Sequence, residues 1–379
     1  MSEYQWVHFR AIDKPLDDDA LQFMRRQSTR AAVSRWEFSN EYNFGSFGGQ
    51  SSEMLRRGYD VHLHYANYGV RHLAFRLPEL PCDKKTFKRF AVKHGLEWDA
   101  DKQGTAGTLW VMPEGQDAYY EYFEECDSMI NRIAPAREML LRGDLRPLYL
   151  FWLVVCEDDD RAEPPVPPGL MGILDGTADD CLLAIADFLQ IPHELLEAAS
   201  KCSPQISQSF DVSAAIGTWV RKQSKPSLVD VTEQLLNDPA TRNRLVRQIR
   251  KEAGGTKQPT NESGRTVGDL VERWRAIGWA KTQVELAAQR KRDEEREAAR
   301  QKARVKELKQ IAANPMALIR RIDGCVARKN RKGYQEATLH LKDIGEALGD
   351  DAAQAGAERL RHEHPSYSAL HDELNRAGF

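Results

Sequence analysis

Apolar positions along the chain change period several times. From Glu3 to Ile12 the aromatic and β-branched residues read as a strand, and Asp17 to Arg26 then sets Ala20, Leu21 and Met24 at helical spacing behind an acidic first turn. Ser34 to Tyr42 returns to a strand pattern with Trp36 and Phe38 on one side, followed by a short helix over Ser52 to Arg57. Two adjoining strands, Asp60 to Ala66 and Val70 to Arg76, meet at Asn67-Tyr68-Gly69, and a helix over Lys84 to Lys93 leads to a hairpin near Leu96 to Met112. Residues 1–115 are therefore expected to form an α+β head with a mixed sheet and helices.

Helical segments dominate from Gln116, and 116–253 is read as a helical domain. Leu140 to Val155 is apolar on nearly all sides and belongs in the core, while Leu182, Ile185, Ala186 and Leu189 form one clean face that stops at Pro192. The prolines of Glu163-Pro164-Pro165-Val166-Pro167-Pro168-Gly169 exclude a helix and suggest a stiff connector. Gly254 to Arg265 is polar and aperiodic, and is read as a linker. Residues 266–314 follow as a long helix: Val267, Leu270, Trp274 and Ile277 begin a heptad, but its continuation puts Lys281, Lys291, Glu295 and Lys302 on the seam. A coiled-coil dimer is thereby disfavoured, and Ala280 to Gln310 reads as a solvated helix of about 45 Å. Residues 315–379 end the chain as a helical-hairpin tail, with stripes through Tyr334, Ala337, Leu341, Ile344 and Leu348 and through Tyr367, Leu370, Leu374 and Ala377.

Composition narrows the function. The 379 residues carry 41% apolar and 29% charged side chains with a formal net charge of -3, so an electrostatic partner must be met by a local patch. The start lacks a basic, apolar leader, and the longest apolar run, Leu148 to Cys156, is about half the length of a membrane span. Six cysteines without short paired spacing fit reduced thiols and a cytoplasmic location.

Two stretches carry a likeness. Ser2-Glu3-Tyr4-Gln5, Leu140-Leu141-Arg142-Gly143-Asp144-Leu145, Tyr149-Leu150 and Glu163 to Leu170 resemble a bacterial family of unknown function. Lys329 to Lys342, with Gly333-Tyr334-Gln335-Glu336-Ala337, and the ending Leu374-Asn375-Arg376-Ala377-Gly378-Phe379 are similar to the tail of SWIM-type zinc-finger proteins. The Cys-x-Cys and Cys-x-His pattern of those proteins is absent, so the likeness implies a shared helical tail without the zinc finger.

Candidate chemistry is sparse. Asp60-x-His62-x-His64 alternates onto one strand face with His72 on the next strand, which suits either a metal or a polar outer face; a fourth ligand is not identifiable, and no stoichiometric zinc or other cofactor is expected. Gly45-x-x-Gly48-Gly49 lacks the Lys-Ser/Thr of a phosphate loop. Ile173-Leu174-Asp175-Gly176-Thr177 resembles an aspartyl phosphatase motif whose nucleophile is replaced by Ile173, leaving Thr177 as a helix cap. Asp158-Asp159-Asp160 reads as a solvated loop, and no catalytic residue is nominated.

Basic clusters are the clearer signal. Arg242, Arg244, Arg247, Arg250 and Lys251 lie on a helix whose buried stripe is Leu245, Val246 and Ile249, while Arg328, Lys329, Arg331 and Lys332, with Arg320 and Arg321 nearby, flank the turn into the last hairpin. Both suit weak phosphate contact, but a solvated face pairing with acidic groups of the same chain is the favoured reading; neither contains aromatic residues for base stacking. The sequence thus points to a non-enzymatic interaction or adaptor protein that meets protein partners through its C-terminal helices, with no membrane contact. The alternatives are a nucleic-acid-associated accessory factor and an enzyme with dispersed catalytic residues.

Overall fold

The computed structural model describes residues 3–43, 45–113, 126–157, 160–204, 212–237, 240–253 and 264–379. They divide into two compact units, Met1–Trp279 and Ala280–Phe379. The class is α+β: a seven-stranded sheet comes first and helices follow.

Strands β1 (Gln5–Arg10), β2 (Ala32–Val33), β3 (Glu37–Tyr42), β4 (Val61–Ala66), β5 (Val70–Leu77), β6 (Leu96–Ala100) and β7 (Gly107–Val111) assemble in the order β2-β3-β1-β4-β5-β7-β6. The order is mixed, yet every strand pairing is antiparallel. Both sheet faces are covered, which explains why its strands are so apolar. One face, with Trp6, Leu63, Phe75 and Val111, joins the main core, where helix Arg146–Val155 buries every residue from Pro147 to Leu153. Phe75 stacks on Phe151 of that helix at 5.4 Å between ring centroids. The opposite face, with Val7, Phe9 and Ala74, packs under helices Asp18–Arg25 and Ser51–Arg57 in a smaller core around Leu21, Met24 and Met54. Leu140 to Val155 is not one helix, because Gly143 adopts φ +79° and separates Pro135–Leu141 from Arg146–Val155.

The proline run is part of the interior. Residues Glu163 to Pro167 are buried outside any helix or strand, and Arg265, at the end of the segment read as a linker, is buried against Glu163. Residues 254–263 of that segment lie outside the described residues, as do the presumed start of the helical domain at Gln116 and the pair Asp158-Asp159. Helix Val267–Ala313 begins in the first unit, where Val267, Leu270 and Val271 are core residues. From Trp279 through Ala303 its side chains are all exposed, as the charge pattern predicts.

The second unit has its own core. Leu318, Ile322 and Val326 of helix Pro315–Ala327 meet Tyr334, Ala337, Leu341 and Ile344 of Arg331–Leu348, with Leu370 and Leu374 of Ser368–Ala377 closing the cluster. The predicted stripes are thus largely the buried ones, although Tyr367 and Ala377 are half-buried and Leu348 is exposed. Gly378 ends the last helix in the left-handed conformation.

Candidate functional site

A cleft of about 880 Å³ opens in the first unit where β1 ends. Asp13 and Arg137 of its lining belong to a charge cluster with Asp60 behind them. Asp60 accepts from the backbone amides of Ile12 (2.6 Å) and Asp13 (3.1 Å), and its other oxygen lies 3.1 Å from Arg137. Arg137 donates to both Asp13 carboxylate oxygens at 2.9 and 2.6 Å and to the Arg76 carbonyl at 2.7 Å. Burial raises the Asp60 pKa, while Arg137 and the two amides oppose the rise. These contacts take Asp60 out of the histidine set in which sequence alternation had placed it. Around the rim stand Ile12, Trp36 and Leu235, which are 39%, 50% and 37% exposed. Asp13 and Glu138, the carboxylates of the lining, are both ion-paired, and no Ser, Cys or His contributes to it. The lining offers apolar area and paired charge, with no nucleophile or unpaired base among the described residues.

Beside the cleft, helix Lys225–Asn237 has no buried residue. Val229, Leu235 and Leu236 are 50%, 37% and 81% exposed, on a helix whose apolar content would ordinarily be spent on a core.

The first basic cluster lies on helix Ala240–Glu252, with Val246 and Ile249 buried as predicted and Leu245 half-buried. Its described arginines are engaged within the chain. Arg242 pairs with Glu138 at 3.2 Å, Arg247 with Glu79 and the Leu80 carbonyl at 3.0 Å each, and Arg244 donates to the Thr241 hydroxyl at 2.9 Å. The side chains of Arg250 and Lys251 lie outside the described residues. In the second cluster Arg328 pairs with Glu336 (2.6 Å) and Arg331 with Glu373 (2.9 Å), whereas Lys332 is exposed. Lys329 sits 5.9 Å over the Tyr367 ring, which also stacks on His364 at 4.9 Å. Folding therefore supplies aromatic neighbours that the local sequence of this cluster lacks; the separation along the chain hid them.

The weaker motifs resolve as local structure. Asp175 accepts from both the amide and the hydroxyl of Thr177, at 3.0 and 2.6 Å, which lowers the Asp175 pKa. Thr177 thus closes a turn on Asp175 instead of capping, and the next helix starts after Asp179.

On the sheet, His62, His64 and His72 do share a face. His62 is buried, stacks on Phe9 with ring centroids 3.9 Å apart and lies 3.1 Å from the His8 carbonyl through Nδ1. Register places His64 directly opposite His72, with centroids 5.8 Å apart. All three pKa values are lowered by burial; His64 falls to about 4, with His72 adding to the effect, and His62 lies well below the usual value. The face is therefore built from neutral imidazoles at ordinary pH.

No family model, curated protein or solved structure matches the chain. No helix among the described residues is long and apolar enough to cross a membrane.

Proposed function

We propose that the protein is a non-enzymatic, cytoplasmic interaction or adaptor protein. The observation that carries this reading is helix Lys225–Asn237, which buries none of its side chains and presents Val229, Leu235 and Leu236 beside a cleft rimmed by Trp36 and Ile12. Exposed apolar groups gathered in this way cost solvation free energy until a partner covers them. The second unit supplies a separate contact part, since Leu339 and Leu348 of helix Arg331–Leu348 are 60% and 43% exposed above a complete core of their own. Two units, each with apolar positions left over after folding, are what an adaptor needs to hold two partners.

The test is site-directed photo-crosslinking in the native host, with the reactive residue at position 236 or 339. The reading expects a discrete protein adduct at each position, lost at 236 when Leu235→Asp is introduced and unaffected at 339 by that change. Absence of adducts at both positions would refute the adaptor reading.

A further inference from the structure

The histidine face has a property that the contact reading does not use. His62 Nδ1 lies 3.1 Å from the His8 carbonyl, which can only accept, so Nδ1 carries the proton and Nε2 keeps a lone pair. His64 Nε2 lies 3.1 Å from Gln5 Oε1. The orientation of that amide is fixed on its other side, where Gln5 Nε2 donates to the Gly45 carbonyl at 3.1 Å and the Ser46 hydroxyl at 3.3 Å. His64 consequently donates through Nε2 and retains a bare Nδ1. Committing one ring N–H to a carbonyl or amide oxygen while the other nitrogen stays free is how metal-ligating histidines are held in their tautomer.

His72 stands opposite His64 in the cross-strand register, and its ring has no hydrogen bond among the described residues. Two imidazoles that share one ion at about 2.0–2.1 Å bring their ring centroids within roughly 6 Å of each other, and these two are 5.8 Å apart. His62 is farther, 6.4 Å from His64, and is held against Phe9. Asp60 is consumed by Arg137 and two backbone amides. Among the described residues no group of three or more His, Cys, Asp or Glu side chains is placed to hold an ion, so the pair would act with solvent completing the shell.

We propose that His64 and His72 form an open, two-nitrogen site for a divalent transition-metal ion, with copper(II) the best fit. The donor set decides the class. Neutral imidazoles without a carboxylate exclude the hard cations magnesium and calcium, and among first-row ions the Irving–Williams order puts copper(II) first at a nitrogen site. Two protein ligands are too few for a closed structural zinc centre. Gln5 is a positioning residue: it holds the His64 tautomer and does not touch the ion.

Titration of the full, tag-free chain with copper(II), followed by calorimetry and electron paramagnetic resonance, tests this. One ion per chain is expected, with nitrogen hyperfine structure from two imidazoles. His72→Gln should weaken binding at least tenfold and remove one nitrogen from the spectrum, and Gln5→Ala should weaken it less while leaving both nitrogens in place. Circular dichroism establishes that each variant is folded, and should His64→Gln fail to fold, His72→Gln alone decides. Unchanged affinity and spectrum in folded His72→Gln, or equal loss in a His362→Gln variant of the exposed C-terminal helix, would overturn the assignment.

Discussion

Glu163 and Arg265, 102 positions apart, form a two-pronged ion pair in the interior of the first unit, with Arg265 Nε 2.6 Å from Oε2 and Nη2 2.7 Å from Oε1. Glu163 is fully buried and Arg265 is 7% exposed. Tyr149 donates its hydroxyl to the same carboxylate, and Arg265 Nη1 reaches the Ala198 carbonyl at 2.9 Å. Backbone bonds run alongside: Glu163 N donates to the Arg265 carbonyl at 3.1 Å, and Val267 N to that of Arg161 at 2.9 Å. The proline run is thereby fastened to the start of the long helix.

Breaking this pair should therefore be costly. Removing one partner strands a buried charge, so Glu163→Leu or Arg265→Met is expected to lose about 3–5 kcal/mol. The double change Glu163→Leu with Arg265→Met should cost less than the two single losses added together. Urea unfolding of the four proteins measures this, and strictly additive losses would contradict the coupling.

How much of this was legible in the sequence depended on distance along the chain. Alternation in Val61 to Ala66 and in Val70 to Leu77 points to both strands and puts His62 and His64 on one face, because strand periodicity is local, whereas setting His72 opposite His64 needed the cross-strand register. The Tyr334 and Tyr367 stripes are legible because helical periodicity is equally local, and Tyr334, Ala337, Leu341, Ile344, Leu370 and Leu374 from them belong to the core of the second unit. The proline run was read correctly as non-helical, but nothing local says that Glu163 turns inward, since its partner is Arg265. The cleft was equally hidden: it joins Arg10, Trp36, Arg137 and Leu235 from four separate stretches, and Arg137 carried no motif.

Alkaline stability should reveal two buried thiols. Burial pushes Cys82 and Cys181 up from 9.0 to about 12. The folded chain thus retains protons that the unfolded chain releases above pH 9, and stability should be flat with respect to these groups below that pH and fall above it. The slope is about 1.4 kcal/mol per pH unit for each thiol. Unfolding measured from pH 8 to 10 should show it, and Cys82→Ala with Cys181→Ala should reduce the slope there, below the range in which the buried Tyr59 and Tyr149 contribute. In native protein at pH 8, alkylation should reach the half-buried Cys156 and Cys202 before either of them.

Truncation should discriminate between two boundaries. Val267 and Leu270 are fully buried in the main core, and the division between units falls after Trp279. A chain ending at residue 279 should keep the melting behaviour of the first unit. One ending at residue 265 forfeits those core side chains, at roughly 2–5 kcal/mol for each large one, and should melt far lower or aggregate. Limited proteolysis of the full chain should cut within Arg290 to Arg304, where nearly all side chains are exposed. Equal melting of the two truncated chains would refute the later boundary.

Duplex DNA should bind weakly and without sequence preference. Arg242, Arg247, Arg328 and Arg331 are each ion-paired within the chain, so a phosphate contact must displace an existing carboxylate. Few phosphate contacts mean low affinity even in dilute buffer, and what binding there is should be lost by moderate salt. A fluorescence titration at two ionic strengths is sufficient, and salt-resistant, sequence-selective binding would contradict this expectation.

Two glycines of the second unit should respond to alanine with opposite sign. A Cβ on Gly333 would meet the Cys325 carbonyl oxygen at 2.3 Å, and that oxygen belongs to the backbone of helix Pro315–Ala327, which cannot rotate aside. Gly333 also donates its amide to Asn330 Oδ1 at 2.8 Å, the cap that starts helix Arg331–Leu348, so the close approach and the cap are fixed together. Helix propensity alone would favour alanine there by about 1 kcal/mol. The clash outweighs it, because forcing the two helices apart disturbs the packing of Val326 and Tyr334 in the shared core, at about 1–3 kcal/mol. Gly324 lies in the interior of helix Pro315–Ala327, where an added methyl group would meet nothing within 4 Å, and there the propensity gain stands unopposed. Thermal unfolding of the full chain, followed by a probe in the second unit, should show Gly333→Ala lowering the transition and Gly324→Ala leaving it unchanged or raising it; a Gly333→Ala protein as stable as the parent would mean that the two helices do not approach at this point.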